Sequence, residues 1–156
     1  MERKMHFSNR KMSMEDVETL LLNNKIASLA VNGDDGKPYV IPIHYIYDKG
    51  ALYFHSAKYG YKMDALAKDN RVCLSIMGET HVINEKFTAA FESVVIEGHA
   101  EFVEDPSERQ YLAEEMIRRW TGGFTEAGQA MIDKTIKRTA FVRICIDAMT
   151  GKAYHG

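Results

Sequence analysis

Apolar positions recur along this chain in two rhythms, and the changes of rhythm mark its elements. Val17, Leu20, Leu21 and Leu22 form one face of a helical repeat, Ser13 followed by Asp16 supplies a helix start, and Asn23-Asn24 ends it. The period then changes. Residues 26–31 make an apolar run of strand length, Gly33-Asp34-Asp35-Gly36 is a turn, and a second run extends over 39–47. Asp48-Lys49-Gly50 makes the next tight turn, and Leu52, Tyr53 and Phe54 return as a third strand. Residues 61–68, with Met63, Leu66 and Ala67 on one side, predict a short helix, and 71–82 a fourth strand.

Over 91–103 the alternation resumes: Val94, Ile96, Ala100 and Phe102 interleave with Ser93, Glu97, His99 and Glu101. Asp105-Pro106-Ser107-Glu108 places an N-cap, a proline at the first helical position and a glutamate in the first turn, so a helix runs from here to about Trp120. Thr121-Gly122-Gly123 breaks it, a further helical stretch follows, and 140–146 is a last strand. No repeat or linker divides the chain, so 1–156 is expected to be a single domain. Six strands joined mostly by tight turns, with three or four helices, predict a mainly β fold with flanking helices (α+β). An antiparallel barrel suits this order better than a doubly wound sheet.

Composition narrows the function classes. The 156 residues are 46% hydrophobic and 27% charged, ordinary values for a domain that folds in water. A formal net charge of −2 and a pI near 6.3 exclude a general nucleic-acid binder, which needs a cationic field to displace counterions. No apolar run has the length of a membrane span, and the polar start, Met1 to Lys11, is unlike a signal peptide, so a cytoplasmic protein is expected. Cys73 and Cys145 lie within apolar strands and read as buried thiols rather than disulfide partners or metal ligands.

The chemistry concentrates between Leu52 and Met63. A strand delivers His55 and Ser56 to its end, Gly60 lets the backbone turn, and Lys62 opens a helix, with Lys58 between them. A helix N-terminus, a hydroxyl and cationic donors together make a site for a phosphomonoester. The same residues also fit a plain turn with Ser56 bonded locally and both lysines solvated. A two-residue turn at Lys49-Gly50, carried along its ladder, sets His44 opposite His55. These imidazoles could contact a ligand ring, but no His/Cys/Asp/Glu cluster has metal-ligand spacing, and no metal site is expected. Gly-x-Gly-x-x-Gly, the Walker loop, Gly-x-Ser-x-Gly and His-Glu-x-x-His are all absent. Tyr39, Tyr45, Tyr47, Tyr53, Phe54, Tyr59 and Tyr61 crowd the same region, most of them expected in the core. Trp120 suits either a helix-end core position or an interface.

The element order, with Tyr39-Val40-Ile41-Pro42-Ile43-His44-Tyr45, Leu52-Tyr53-Phe54-His55-Ser56-Ala57 and Gly60-Tyr61-Lys62, resembles the FMN-binding split-barrel superfamily related to pyridoxamine 5′-phosphate oxidase. Within it, the chain is most similar to the 5-nitroimidazole-resistance (Nim) branch. The likeness extends from the first helix to the last strand, through Phe91 to Ala100 and Thr150-Gly151-Lys152. It implies a six-stranded split barrel that is a homodimer, with FMN at the interface. It also implies that Val40, Ile41, Pro42, Ile43 and His44 line the flavin, and that His55, Ser56 and Ala57 meet its ribityl-phosphate end. Tyr61 and Lys62 fall at the phosphate, Ser93 at a further flavin contact, and His55 matches a functional histidine of the branch. Tyr61 stands where pyridoxamine phosphate oxidases place an arginine, and the ending, Gly151 to Gly156, lacks their C-terminal tryptophan and arginine segment.

The function implied is an FMN-dependent reductase that takes electrons from a reduced donor such as a nicotinamide nucleotide and passes them to a small acceptor such as a nitroaromatic. A flavin-binding or redox-sensing module without turnover is the alternative of another class. A haem-binding split barrel, with His44, His55, His99 or His155 as axial ligand, is a third.

Overall fold

A computed structural model describes residues 3–156. Helix α1 (Met14–Asn23) starts where Ser13 caps it, the Ser13 hydroxyl accepting the Asp16 N–H at 3.1 Å. It is followed by β1 (Ile26–Asn32), β2 (Pro38–His44), β3 (Ile46–Asp48) and β4 (Ala51–Ala57). Helix α2 (Tyr61–Lys68) leads to the long strands β5 (Arg71–Ile83) and β6 (Thr88–Phe102). Helices α3 (Pro106–Thr121) and α4 (Glu126–Thr135) precede β7 (Thr139–Tyr154). Among the described residues, no helix is long and apolar enough to cross a membrane.

The sheet has seven strands in the order β2-β1-β5-β6-β7-β4-β3, every pair antiparallel, which corrects the expected six. The extra strand arises because the run over 39–47 breaks at Tyr45. Its N–H donates to Lys25 O at 2.9 Å and its hydroxyl to Leu21 O at 2.8 Å, drawing the residue out of the ladder and into the core. Burial pushes the Tyr45 phenol well above its ordinary pKa, so it stays a neutral donor. The strands on either side of Tyr45 are consecutive in the chain yet stand at opposite ends of the strand order. The chain itself therefore closes the barrel across a split.

The β3–β4 hairpin turns through Lys49 and Gly50, both at positive φ (49° and 79°), the twist a two-residue hairpin requires. Its register is the expected one, with Asp48 opposite Ala51 and Ile46 opposite Tyr53. The ladder stops there. His44 pairs instead with Ile26 of β1, so the expected strand pairing of His44 with His55 is not formed. Strand β7 runs eight residues beyond the expected 146, because its phase flips at a bulge beside Gly98 and its second half is more polar.

Two cores result. Leu29, Leu52, Phe54, Leu74, Ile96 and Ile144 fill the barrel together with Leu21 of α1. On the outer face of β4 and β7, Tyr53 and Phe141 pack under Leu112 and Met116 of α3 and Ile132 of α4. The cap of α3 is as expected: Asp105 accepts the Glu108 N–H at 2.9 Å, and Gly122 ends the helix at φ 80°. Arg109 of α3 donates to the carbonyls of Ile136 and Thr139, both at 2.7 Å, tying the end of α4 to the start of β7. Cys73 and Cys145 are free and only half-buried, because both lie on the outer face of the sheet.

Candidate functional site

The split between β2 and β4 is widened by a cavity of about 640 Å³, within the ~300–1,000 Å³ common for small-molecule sites. Pro42, Ile43 and His44 at the end of β2 form one wall, and His55 at the end of β4 another. Lys62 closes one side, while Lys25 and Trp120, arriving from the α1–β1 junction and the last turn of α3, close the rest.

The polar end is built by α2. Gly60 precedes it at φ 132° and ψ 169°, a conformation open essentially to glycine alone, and so lets the chain turn straight from β4 into the helix. Lys62 sits in the first turn, where N–H groups lack helical partners, its ammonium 5.6 Å from the Phe54 ring centroid. Burial lowers the Lys62 pKa, which leaves a partly desolvated cation beside an open cavity, with no acidic partner among the described residues.

The aromatic end joins residues far apart in the chain. The Trp120 ring lies 5.9 Å from the His44 ring and 5.6 Å from the His55 ring, and its N–H donates to Tyr45 O at 3.3 Å. His55 is held between Trp120 and Phe141, whose centroid is 6.2 Å away. Its pKa is lowered, first by burial and then by the charges of His44 and Lys62, so the imidazole is neutral at pH 7. A neutral ring carries one N–H donor and one acceptor, suited to a polar heteroaromatic edge. Behind His55 and Trp120 a second, smaller chamber of about 150 Å³ opens among Met116, Ile117, Ile132, Ile136 and Phe141.

Of the residues expected from sequence, Pro42, Ile43, His44, His55 and Lys62 share this cavity. Val40 is exposed and Ile41 packs on the core, one turn of the pleat before the cavity wall. Ser56 follows His55, and strand alternation puts its side chain on the opposite face of β4; Ala57 is the exposed last residue of that strand. The Tyr61 hydroxyl accepts the Asp34 N–H at 2.8 Å and its ring meets Tyr39 edge-on, so the phenol braces α2 against the β1–β2 turn. Ser93 lies toward the other end of β6, opposite Met77 and Lys152, outside the cavity. Lys58 faces another cleft, beside Arg109 and Glu104. Trp120 and Lys25 also line the cavity, beyond the residues the sequence points to. No motif marks them, since each reaches the cavity only through helix packing.

The sequence matches the pyridoxamine 5′-phosphate oxidase family over residues 13–153. No curated protein matches it significantly. Among solved structures it is similar to a candidate 5-nitroimidazole antibiotic resistance protein of Bacteroides thetaiotaomicron, with a TM-score of 0.77 and 24% identity over 92% of this chain and 86% of that one. It is also similar to a FAD-binding protein of Mesorhizobium loti, with a TM-score of 0.67 and 22% identity over 94% and 98% of the two chains. A FAD and haem binding protein of Mycobacterium smegmatis gives a TM-score of 0.73 and 21% identity over 94% of this chain and 74% of that one. With the family match spanning nearly the whole chain and the barrel split where β2 turns into β3, this chain belongs to the pyridoxamine 5′-phosphate oxidase family of split barrels.

Proposed function

We propose that the cavity holds the flavin mononucleotide FMN and that the protein is a cytoplasmic, FMN-dependent reductase acting on a small acceptor such as a nitroaromatic. The observation that carries this reading is the polarity of a single cavity: a desolvated lysine on a helix N-terminus at one end, and the His44, His55 and Trp120 rings at the other. A phosphomonoester on a polar chain ending in a planar heteroaromatic ring has that same order of chemistry.

Lys62 and the first N–H groups of α2 would bind the phosphate, and Lys25 adds a second cation to the same cavity. Pro42 and Ile43 offer an apolar and backbone edge to the ring, and Trp120 shields it from water. Neutral His55 would exchange one hydrogen bond with the ring edge or the acceptor. A bound flavin supplies reversible electron transfer between a reduced donor, such as a nicotinamide nucleotide, and an oxidised acceptor. The relatives named for FAD and for nitroimidazole resistance support the cofactor class and the acceptor class respectively. Exposed Ile26 and Val40, on the paired strands β1 and β2 beside the split, favour a homodimer that covers the cavity. Ser93, which does not line its own cavity, would in such a dimer contact flavin only through the partner's site.

The test is the visible spectrum of protein mixed with FMN and freed of excess, for wild type and Lys62→Ala. A two-band flavin spectrum retained by wild type and lost or strongly weakened in the variant supports the assignment. If wild type retains no flavin, the assignment falls. Retained flavin that nicotinamide nucleotides and nitroaromatics leave unchanged under anaerobic conditions would favour a binding module instead.

A further inference from the structure

A second cluster of reactive side chains lies away from the cavity, on the outer face of the β6–β7 ladder. His99 of β6 stands directly opposite Cys145 of β7, and Glu101 is two residues along β6 on the same face. Opposite Gly98, β7 bulges: Gly98 pairs with Ile146, Glu97 with Ala148, and Asp147 is the extra residue between. A Cβ on Gly98 would stand 2.2 Å from the Cys145 carbonyl oxygen, so only glycine admits this close passage. The bulge turns Asp147 onto His99, whose Nδ1 meets both carboxylate oxygens at 3.0 and 3.1 Å.

That contact orients the imidazole. With Nδ1–H donated to Asp147, Nε2 carries the lone pair, and it faces Glu101 Oε1 at 3.7 Å. The other Glu101 oxygen is bonded to Arg143 at 3.0 Å, which leaves Oε1 available. One ligand atom each from His99, Glu101 and Cys145 lies within 4.8 Å of the others. Around tetrahedral Zn²⁺, bonds of ~2.0–2.3 Å put neighbouring ligand atoms about 3.5 Å apart, so small side-chain rotations bring the three together. The donors are of nitrogen, sulfur and oxygen type, and a carboxylate fixes the histidine from behind, as zinc-ligating histidines are commonly held.

We propose that His99, Glu101 and Cys145 bind a divalent transition metal of the zinc class, with Asp147 orienting His99 and the fourth position open to water. Binding replaces the proton of the Cys145 thiol, which is released to solvent. Because binding displaces that proton, affinity rises with pH. The site owes nothing to the flavin assignment, because none of its four residues lines the β2–β4 cavity.

Co²⁺ is the probe, added to the purified protein and read as a difference spectrum so that any flavin absorbance cancels. The expected result is about one Co²⁺ per chain, with a thiolate-to-cobalt charge-transfer band in the near ultraviolet and strong visible bands of a four-coordinate ion. Cys145→Ser removes the charge-transfer band, and Asp147→Asn lowers affinity about 10- to 100-fold. In unsubstituted protein, peptide mapping should show that Zn²⁺ slows alkylation of Cys145 and leaves Cys73 unchanged, a readout independent of how any variant folds. The proposal is overturned if wild type gives no charge-transfer band, if the band survives in Cys145→Ser, or if Zn²⁺ does not protect Cys145.

Discussion

The Trp120 ring and the His55 ring lie 5.6 Å apart at an interplanar angle of 42°, although one ends α3 and the other ends β4. Helix α3 is therefore part of the cavity wall rather than a cover over the second core alone. Trp120 is also the single tryptophan of the chain, which makes it a reporter of occupancy. Titrating FMN into flavin-free protein should quench tryptophan emission saturably, with a midpoint that shifts to higher FMN in Lys62→Ala. Emission that stays constant while FMN binds would place the flavin elsewhere.

The position of Trp120 depends on its neighbour. Arg119 donates to Tyr47 O and to Asp48 Oδ1, both at 2.6 Å, and to Glu115 Oε2 at 3.1 Å, clamping the last turn of α3 to the β3–β4 turn. Arg119→Met should cost at least about 2 kcal/mol, since three hydrogen bonds involving charged groups are lost, each contributing roughly 1.5–3 kcal/mol, while Asp48 keeps the Tyr111 hydroxyl at 2.9 Å as partial compensation. Urea denaturation measures the loss. The same variant should show weaker quenching of Trp120 by FMN, which a purely local loss of stability would not produce.

Gly60 adopts a backbone conformation, φ 132°, that only an added side chain would make strained. Nothing lies within 4 Å of a Cβ added there, so Gly60→Ala isolates the effect of φ 132° from any clash. A loss of about 1–3 kcal/mol is expected in chemical denaturation, with weaker FMN retention because the start of α2 is displaced. An unchanged denaturation midpoint would show that the turn relaxes without cost.

The lowered pKa of His55 couples folding to pH. In the unfolded chain the imidazole takes up a proton near its ordinary 6.5, while in the folded protein burial, His44 and Lys62 delay that uptake to lower pH. The unfolded state thus binds more protons in this interval. The stability tied to neutral His55 is complete above about pH 6.5 and is lost as pH falls through the lowered value. His55→Asn should accordingly flatten the fall in Tm between about pH 7.5 and 5 relative to wild type. Parallel Tm profiles would mean that His55 protonates freely in the folded protein.

What the sequence determined by itself is local. Ser13 and Asp105 announce their helices because a cap is a contact within one turn, and Lys49-Gly50 sets the β3–β4 register because two positive-φ residues leave the flanking strands one pairing. His44, His55 and Lys62 were legible as a group because their strands and helix are neighbours in the chain and their family motif is contiguous. The break at Tyr45 was not legible: it depends on carbonyls of Lys25 and Leu21 that only the packed α1 brings within reach. Trp120 and Lys25 entered the cavity, and Tyr61 left it for the β1–β2 turn, for the same reason. Spacing along the chain shows no metal-ligand pattern, because spacing registers only residues that are near in sequence. His99 and Cys145 are distant in sequence and meet only through the β6–β7 register, while Asp147 reaches His99 only through a bulge that Gly98 permits. Hydrogen-bonded neighbours along the backbone can be read from residue order, but side chains that meet across a closed barrel are decided by register and packing, which belong to the whole fold.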